Sequence, residues 1–119
     1  MLILSMQSYQ LFIYLSQDCN ISIGKLGTFN FLKGRYIYTG SAKKNLNSRL
    51  ERHFMKKKKL HWHIDFFLNS KFTKIINVTK SHQEECNLNK SSKGNVLVNG
   101  FGSSDCKQLC RSHLKFILN

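Results

Sequence analysis

Tyr38 and Gly40 close the run Tyr36-Ile37-Tyr38-Thr39-Gly40, and a short polar stretch separates them from Arg49 and His53. A tyrosine hydroxyl can accept or relay a proton when its pKa is lowered, and a guanidinium can make two parallel hydrogen bonds to phosphate oxygens. Arg49 and His53 are four positions apart, so on a helix they project from one side. These residue types suit proton transfer beside an anionic oxygen. By pattern alone, however, Tyr9, Tyr36 and Tyr38 also read as ordinary strand aromatics, and Arg49 and His53 as a solvated helix face. A second constellation is Cys86, Cys106, Cys110 and His113. Its Cys-x-x-x-Cys-x-x-His spacing is close to that of zinc ligands. Packed thiols are the weightier reading, because structural zinc favours a tighter knuckle and free cysteine is among the most buried residue types. His61, His63 and Asp65 form a third group, and on a helix His61 pairs with Asp65 and not with His63. That pairing predicts a hydrogen bond near the site rather than a metal cage.

The elements that must position these residues follow from periodicity. Tyr9, Leu11, Ile13 and Leu15 alternate along a strand at 8–15, and Ile21 and Ile23 mark a second at 20–23, before the turn glycines Gly24 and Gly27. Phe29 and Phe31 lead to Gly34 and a strand at 35–39, which stops at Gly40. Asn45 is the expected N-cap of a helix over 46–56, packed through Leu46, Leu50 and Phe54. A further helix is expected where Leu60, Ile64, Phe67 and Leu68 recur, then a strand at 72–78. Ser81 with Glu84 has the form of a capping box that starts another helix. A Gly/Ser turn, two cysteines and an apolar segment close the chain. The expectation is an α/β (α+β) fold, a small mixed or antiparallel sheet flanked by helices, in a single domain over 1–119.

Composition narrows the function classes. The 119 residues hold 19 Lys+Arg against 6 Asp+Glu, a formal charge of +13. Self-repulsion of that size is tolerated most easily when a polyanion binds, so nucleic acid is the expected partner. Lys43, Lys44, Arg52, Lys56, Lys57, Lys58 and Lys59 are the candidate backbone contacts. No apolar run approaches the roughly 18 residues of a spanning helix, and Met1 to Met6 lack the charged start and cleavage site of a signal peptide. A cytoplasmic protein with reduced cysteines is expected.

The Tyr-x-Gly strand end followed by a helix bearing Arg and then His resembles the second half of the GIY-YIG nuclease signature. Tyr38 and Gly40 take the place of its Tyr-Ile-Gly, and Arg49 that of its helix arginine. Tyr9 takes the place of the first tyrosine, where the usual Gly-Ile-Tyr reads Gln7-Ser8-Tyr9. Tyr9 and Tyr38 lie much further apart in sequence than in the nucleases that join them by a short hairpin, so an insertion is expected between them. Ile23 to Gly27, His61 to Asp65, Glu85-Cys86, Gly100 to Cys106 and Ser112-His113-Leu114 are similar to one little-characterised GIY-YIG-related branch, found alone or fused to endonuclease III in archaea and some bacteria. The likeness runs from Tyr9 to Phe116. It implies a GIY-YIG-like fold and a metal-dependent endonuclease with Tyr9, Tyr38, Arg49 and His53 as catalytic residues. It also implies Mg²⁺ or Mn²⁺ on a glutamate in the helix after the third strand, a position that Glu85 occupies, Glu84 having the capping role as its alternative. Phosphodiester hydrolysis asks for such a set: a deprotonated water, a cation beside the phosphorane oxygens and usually a divalent metal. DNA is the expected substrate and a repair glycosylase a possible partner. The rival expectation is an inactive binding module or accessory subunit of a repair enzyme, and a third is a zinc-stabilised structural protein.

Overall fold

The computed structural model describes residues 6–42, 44–55, 57–103 and 110–117. Lys43, Lys56 and Cys106 lie outside the described residues. In chain order the elements are β1 (Ser8–Leu15), β2 (Cys19–Ser22), a 3₁₀ turn (Gly24–Leu26), β3 (Thr28–Phe31), β4 (Gly34–Ser41), α1 (Leu46–Phe54), α2 (His63–Leu68), β5 (Thr73–Ser81), α3 (Glu85–Ser91) and β6 (Leu114–Ile117). This is a mixed α+β fold. One sheet has four antiparallel strands in the order β5-β1-β4-β6, and β2 and β3 make a two-stranded sheet of their own.

β1 lies inside the sheet, between β5 and β4. Tyr9, Leu11, Ile13 and Leu15 are each no more than 1% exposed. Burying each aliphatic side chain contributes about 1.5–3 kcal/mol. A slip of one residue would trade all four for Gln10, Phe12, Tyr14 and Ser16, so the register is strongly set. That register pairs Tyr9 with Gly40 and Leu11 with Tyr38 across β1 and β4. The expected insertion is the β2–β3 hairpin, which leaves β1 and β4 free to pair as direct neighbours. An aromatic cluster ties the layers together, with ring centroids 5.0 Å apart for Phe31–Phe67, 5.1 Å for Tyr36–Phe67 and 5.0 Å for Tyr36–Phe116. On the alternate positions of the sheet, Gln10 donates to Thr39 Oγ1 at 3.1 Å and to Ser92 Oγ.

Several local expectations are corrected. Asn45 sits at φ 58° in the left-handed region and makes no side-chain cap bond; its carbonyl accepts from Arg49 N at 3.1 Å. Asparagine is one of the few residues that tolerate this conformation. α1 ends at Phe54, not at residue 56, where Met55 turns extended and Lys58 Nζ donates to the Arg52 and His53 carbonyls at 3.0 and 3.2 Å. Phe54 is 54% exposed, whereas Leu50 and His53 are buried. α2 starts at His63, and β5 runs on to Ser81. Ser81 is thus a strand end rather than a cap, and Glu84 itself caps α3, its carboxylate accepting from Cys86 N at 3.4 Å. No helix among the described residues is long and apolar enough to cross a membrane.

Candidate active site

Tyr9 lies flat against Gly40. A Cβ added at Gly40 would come within 2.4 Å of the Tyr9 Cζ and Oη atoms, which is why the residue opposite the tyrosine has no side chain. Tyr38 stands on the same face of β4, its ring centroid 6.4 Å from that of Tyr9. Gly102, at φ +67°, approaches Tyr38 so closely that its own Cβ would lie 3.2 Å from Cε1. The strand pairing therefore brings the two tyrosines together, and the glycines let them lie at the bottom of a cleft.

α1 adds the next two groups. His53 Nε2 lies 2.6 Å from Tyr9 Oη in a buried contact, and Nδ1 has no hydrogen-bond partner among the described residues. Burial, reinforced by the charge of Lys58, lowers His53 from 6.5 to about 4, so the imidazole is neutral at pH 7. Burial likewise pushes the phenols of Tyr9 and Tyr38 well up from 10.0, with Arg49 pulling both back and Glu85 pushing both further up. Arg49, one turn before His53, donates from Nη1 to the Ser41 carbonyl at 2.5 Å, and its guanidinium lies 4.5 Å from the Trp62 ring centroid. Arg52 also lies 4.5 Å from Trp62, but its fork is committed to the fully buried Asp65, with Nη1 and Nη2 donating at 2.7 and 2.9 Å. Burial alone would raise Asp65, yet Arg52 and the backbone N–H groups of His61 and Trp62 outweigh it and hold the carboxyl below its usual value.

Those backbone bonds correct the expected His61–Asp65 side-chain pair. Asp65 Oδ2 accepts from His61 N at 2.9 Å and from Trp62 N at 2.8 Å, so the carboxylate closes the start of α2 and the His61 ring is left on the cleft wall. His63 Nδ1 accepts from Gly102 N at 2.9 Å. On the opposite wall Glu85 is the first residue of α3, its Oε1 3.6 Å from His113 Nδ1. Cys86 Sγ lies 4.0 Å from His113 Nε2, and Cys110 completes a group of three whose ligand atoms all fall within 4.8 Å of one another. The cleft has a volume of about 260 Å³, and Tyr9, Tyr38, Arg49, His61, His63 and Glu85 all reach its lining.

Residues 8–119 match the family described as Domain of unknown function DUF123. The chain belongs to the DUF123 family. No curated protein and no solved structure matches it. In this DUF123 chain the residues expected from sequence to act together, Tyr9, Tyr38, Arg49 and Glu85, line one cleft, with His53 directly behind Tyr9. The basic candidates divide. Lys44, Lys57 and Lys59 are exposed, while Lys58 caps α1 and Arg52 binds Asp65. Sequence reasoning did not place Ser41, Trp62 or Gly102 at the site. The indole between two histidines was a visible signal for Trp62. Ser41 acts through its carbonyl, which no residue type reveals.

Proposed function

We propose that this DUF123 chain is a GIY-YIG-related, metal-dependent endonuclease that hydrolyses phosphodiester bonds, with DNA as its substrate and the cytosol as its setting. The observation that carries the reading is the convergence of Tyr9, Tyr38, Arg49 and Glu85 on one polar cleft from β1, β4, α1 and α3. In this reading Arg49 neutralises charge on the phosphate oxygens, its fork held in direction by Ser41 and by the Trp62 face. Tyr9 Oη receives the proton of the attacking water while passing its own to His53 Nε2, so that no free phenolate forms in a buried site. Tyr38 orients the water from the neighbouring strand.

Glu85 fits a hard divalent cation, because Mg²⁺ keeps several waters and is held by one or two carboxylates together with substrate phosphates. The Glu85 side chain, 25% exposed at the cleft wall, offers one such carboxylate. A bound Mg²⁺ or Mn²⁺ supplies Lewis-acid stabilisation of the leaving oxygen. Neutralising Glu85 also removes one of the charges that raise Tyr9.

The second reading, an inactive nucleic-acid-binding module or accessory subunit of a repair glycosylase, has a specific observation in its favour. A neutral His53 at about 4 is a weak base, and burial opposes ionisation of both tyrosines. The deciding experiment incubates labelled single-stranded, duplex and branched DNA with the chain in Mg²⁺, Mn²⁺ or EDTA. Metal-dependent cutting that is lost in Glu85→Gln while binding persists supports the enzyme. Binding without cutting under any metal supports the module.

A further inference from the structure

Behind the Glu85 wall the chain places soft ligands next to a hard one. Cys86 comes from α3, and Cys110 and His113 come from the segment that leads into β6. Their ligand atoms lie within 4.8 Å of one another, and Cys86 Sγ is 4.0 Å from His113 Nε2. Around a tetrahedral zinc, with bonds of about 2.3 Å to sulfur and 2.0–2.1 Å to nitrogen, such atoms sit about 3.5–3.8 Å apart. A contraction of about an ångström closes the group. We propose that Cys86, Cys110 and His113 form a zinc site whose histidine holds Glu85 in place.

The orientation of His113 carries the argument. Its Nε2 faces the Cys86 sulfur and its Nδ1 faces Glu85 Oε1 at 3.6 Å. A histidine that ligates through one nitrogen carries its proton on the other and gives it to a carboxylate, which fixes the ring and raises its basicity as a ligand. The ring is also held from behind, since His113 N donates to the Phe101 carbonyl at 2.8 Å and its own carbonyl accepts from Thr39 N at 2.9 Å. Packing explains Cys86, which is 4% exposed, but not Cys110, which is only half-buried. Two thiolates balance the dication, and thiolate with imidazole selects zinc over Mg²⁺ or Mn²⁺, which prefer oxygen. Binding releases the two thiol protons to solvent. Among the described residues these three supply the ligands, and Cys106, the fourth member of the group in sequence, lies outside them.

Only the consequence for Glu85 rests on the nuclease reading; the metal site itself is tested without substrate. The full chain is purified in reductant without chelator and its metal counted by plasma mass spectrometry, then exchanged for Co²⁺ to read the thiolate-to-metal absorption band. About one zinc per chain is expected, with a cobalt band that loses about half its intensity in Cys110→Ser or Cys86→Ser and is unchanged in Cys19→Ser, whose thiol lies on β2. The cobalt titration of the unmutated chain stands whether or not a variant folds. A chain that takes up neither zinc nor Co²⁺, or a Cys86–Cys110 disulfide in its place, overturns the proposal, as does a band that survives both substitutions. A zinc-loaded chain that cuts nothing sinks the nuclease reading alone.

Discussion

Tyr9 and His53 make a hydrogen-bonded pair that burial keeps neutral, and that sets the residue-scale predictions. Tyr9→Phe removes one oxygen and the 2.6 Å contact while keeping the ring on Gly40. Turnover should fall by about 10²–10⁴-fold, the range for loss of a general acid or base, with circular dichroism unchanged. His53 also predicts a stability profile. Burial lowers it from 6.5 to about 4, so between those values the unfolded chain binds a proton that the folded chain refuses. Its contribution is complete above about 6.5, is lost as pH falls, and is gone near 4, on the order of 3 kcal/mol in all. Urea midpoints across that window should lose this slope in His53→Gln. The Asp65 carboxyl, held down by Arg52 and two backbone N–H groups, adds a loss that falls chiefly at lower pH. The residue types here were legible from sequence. Their protonation was not, because desolvation depends on neighbours that only folding supplies.

At the scale of elements, the fold uses one buried ion pair to join two short helices. Asp65 is fully buried, holds Arg52 of α1 and caps the start of α2 through the His61 and Trp62 N–H groups. Asp65→Ala leaves two backbone donors unmatched and the guanidinium with only the Lys59 carbonyl to bond, and should cost about 3 kcal/mol by chemical denaturation. α1 offers a contrast. Leu50→Ala should cost about 2–5 kcal/mol as a core truncation, whereas Phe54→Ala should stay within about 0.5 kcal/mol because that ring is 54% exposed. Equal losses in the two variants would show that the helix packs on the face first expected from its stripe. The spacing of Leu46, Leu50, His53 and Phe54 allows either face, since neighbours one residue apart on a helix both lie near the stripe. Tyr9 decides between them by offering His53 a partner.

For the whole molecule the dominant quantity is the +13 formal charge. If the partner is duplex nucleic acid held through its phosphates, affinity should fall with salt at a slope of about −3 or steeper in log K against log salt, at about −0.9 for each neutralised phosphate. Fluorescence anisotropy at several salt concentrations measures it, and a flat response would remove nucleic acid as the partner. The exposed Lys44, Lys57 and Lys59 are the contacts to weigh first, since Lys58 and Arg52 are already engaged within the fold. By itself the sequence determined the strand β1, the Tyr-x-Gly end of β4, the presence of a helix with Arg49 and His53 on one side, and the charge. These are local patterns, in which period and composition alone decide. The tertiary structure decided what meets what: that a hairpin fills the gap between β1 and β4, that Gly40 is small because Tyr9 covers it, and that Glu84 caps a helix while Glu85 reaches the cleft. Each of these depends on atoms brought together from distant positions in the chain, where only burial and register determine which of several locally acceptable arrangements is the stable one.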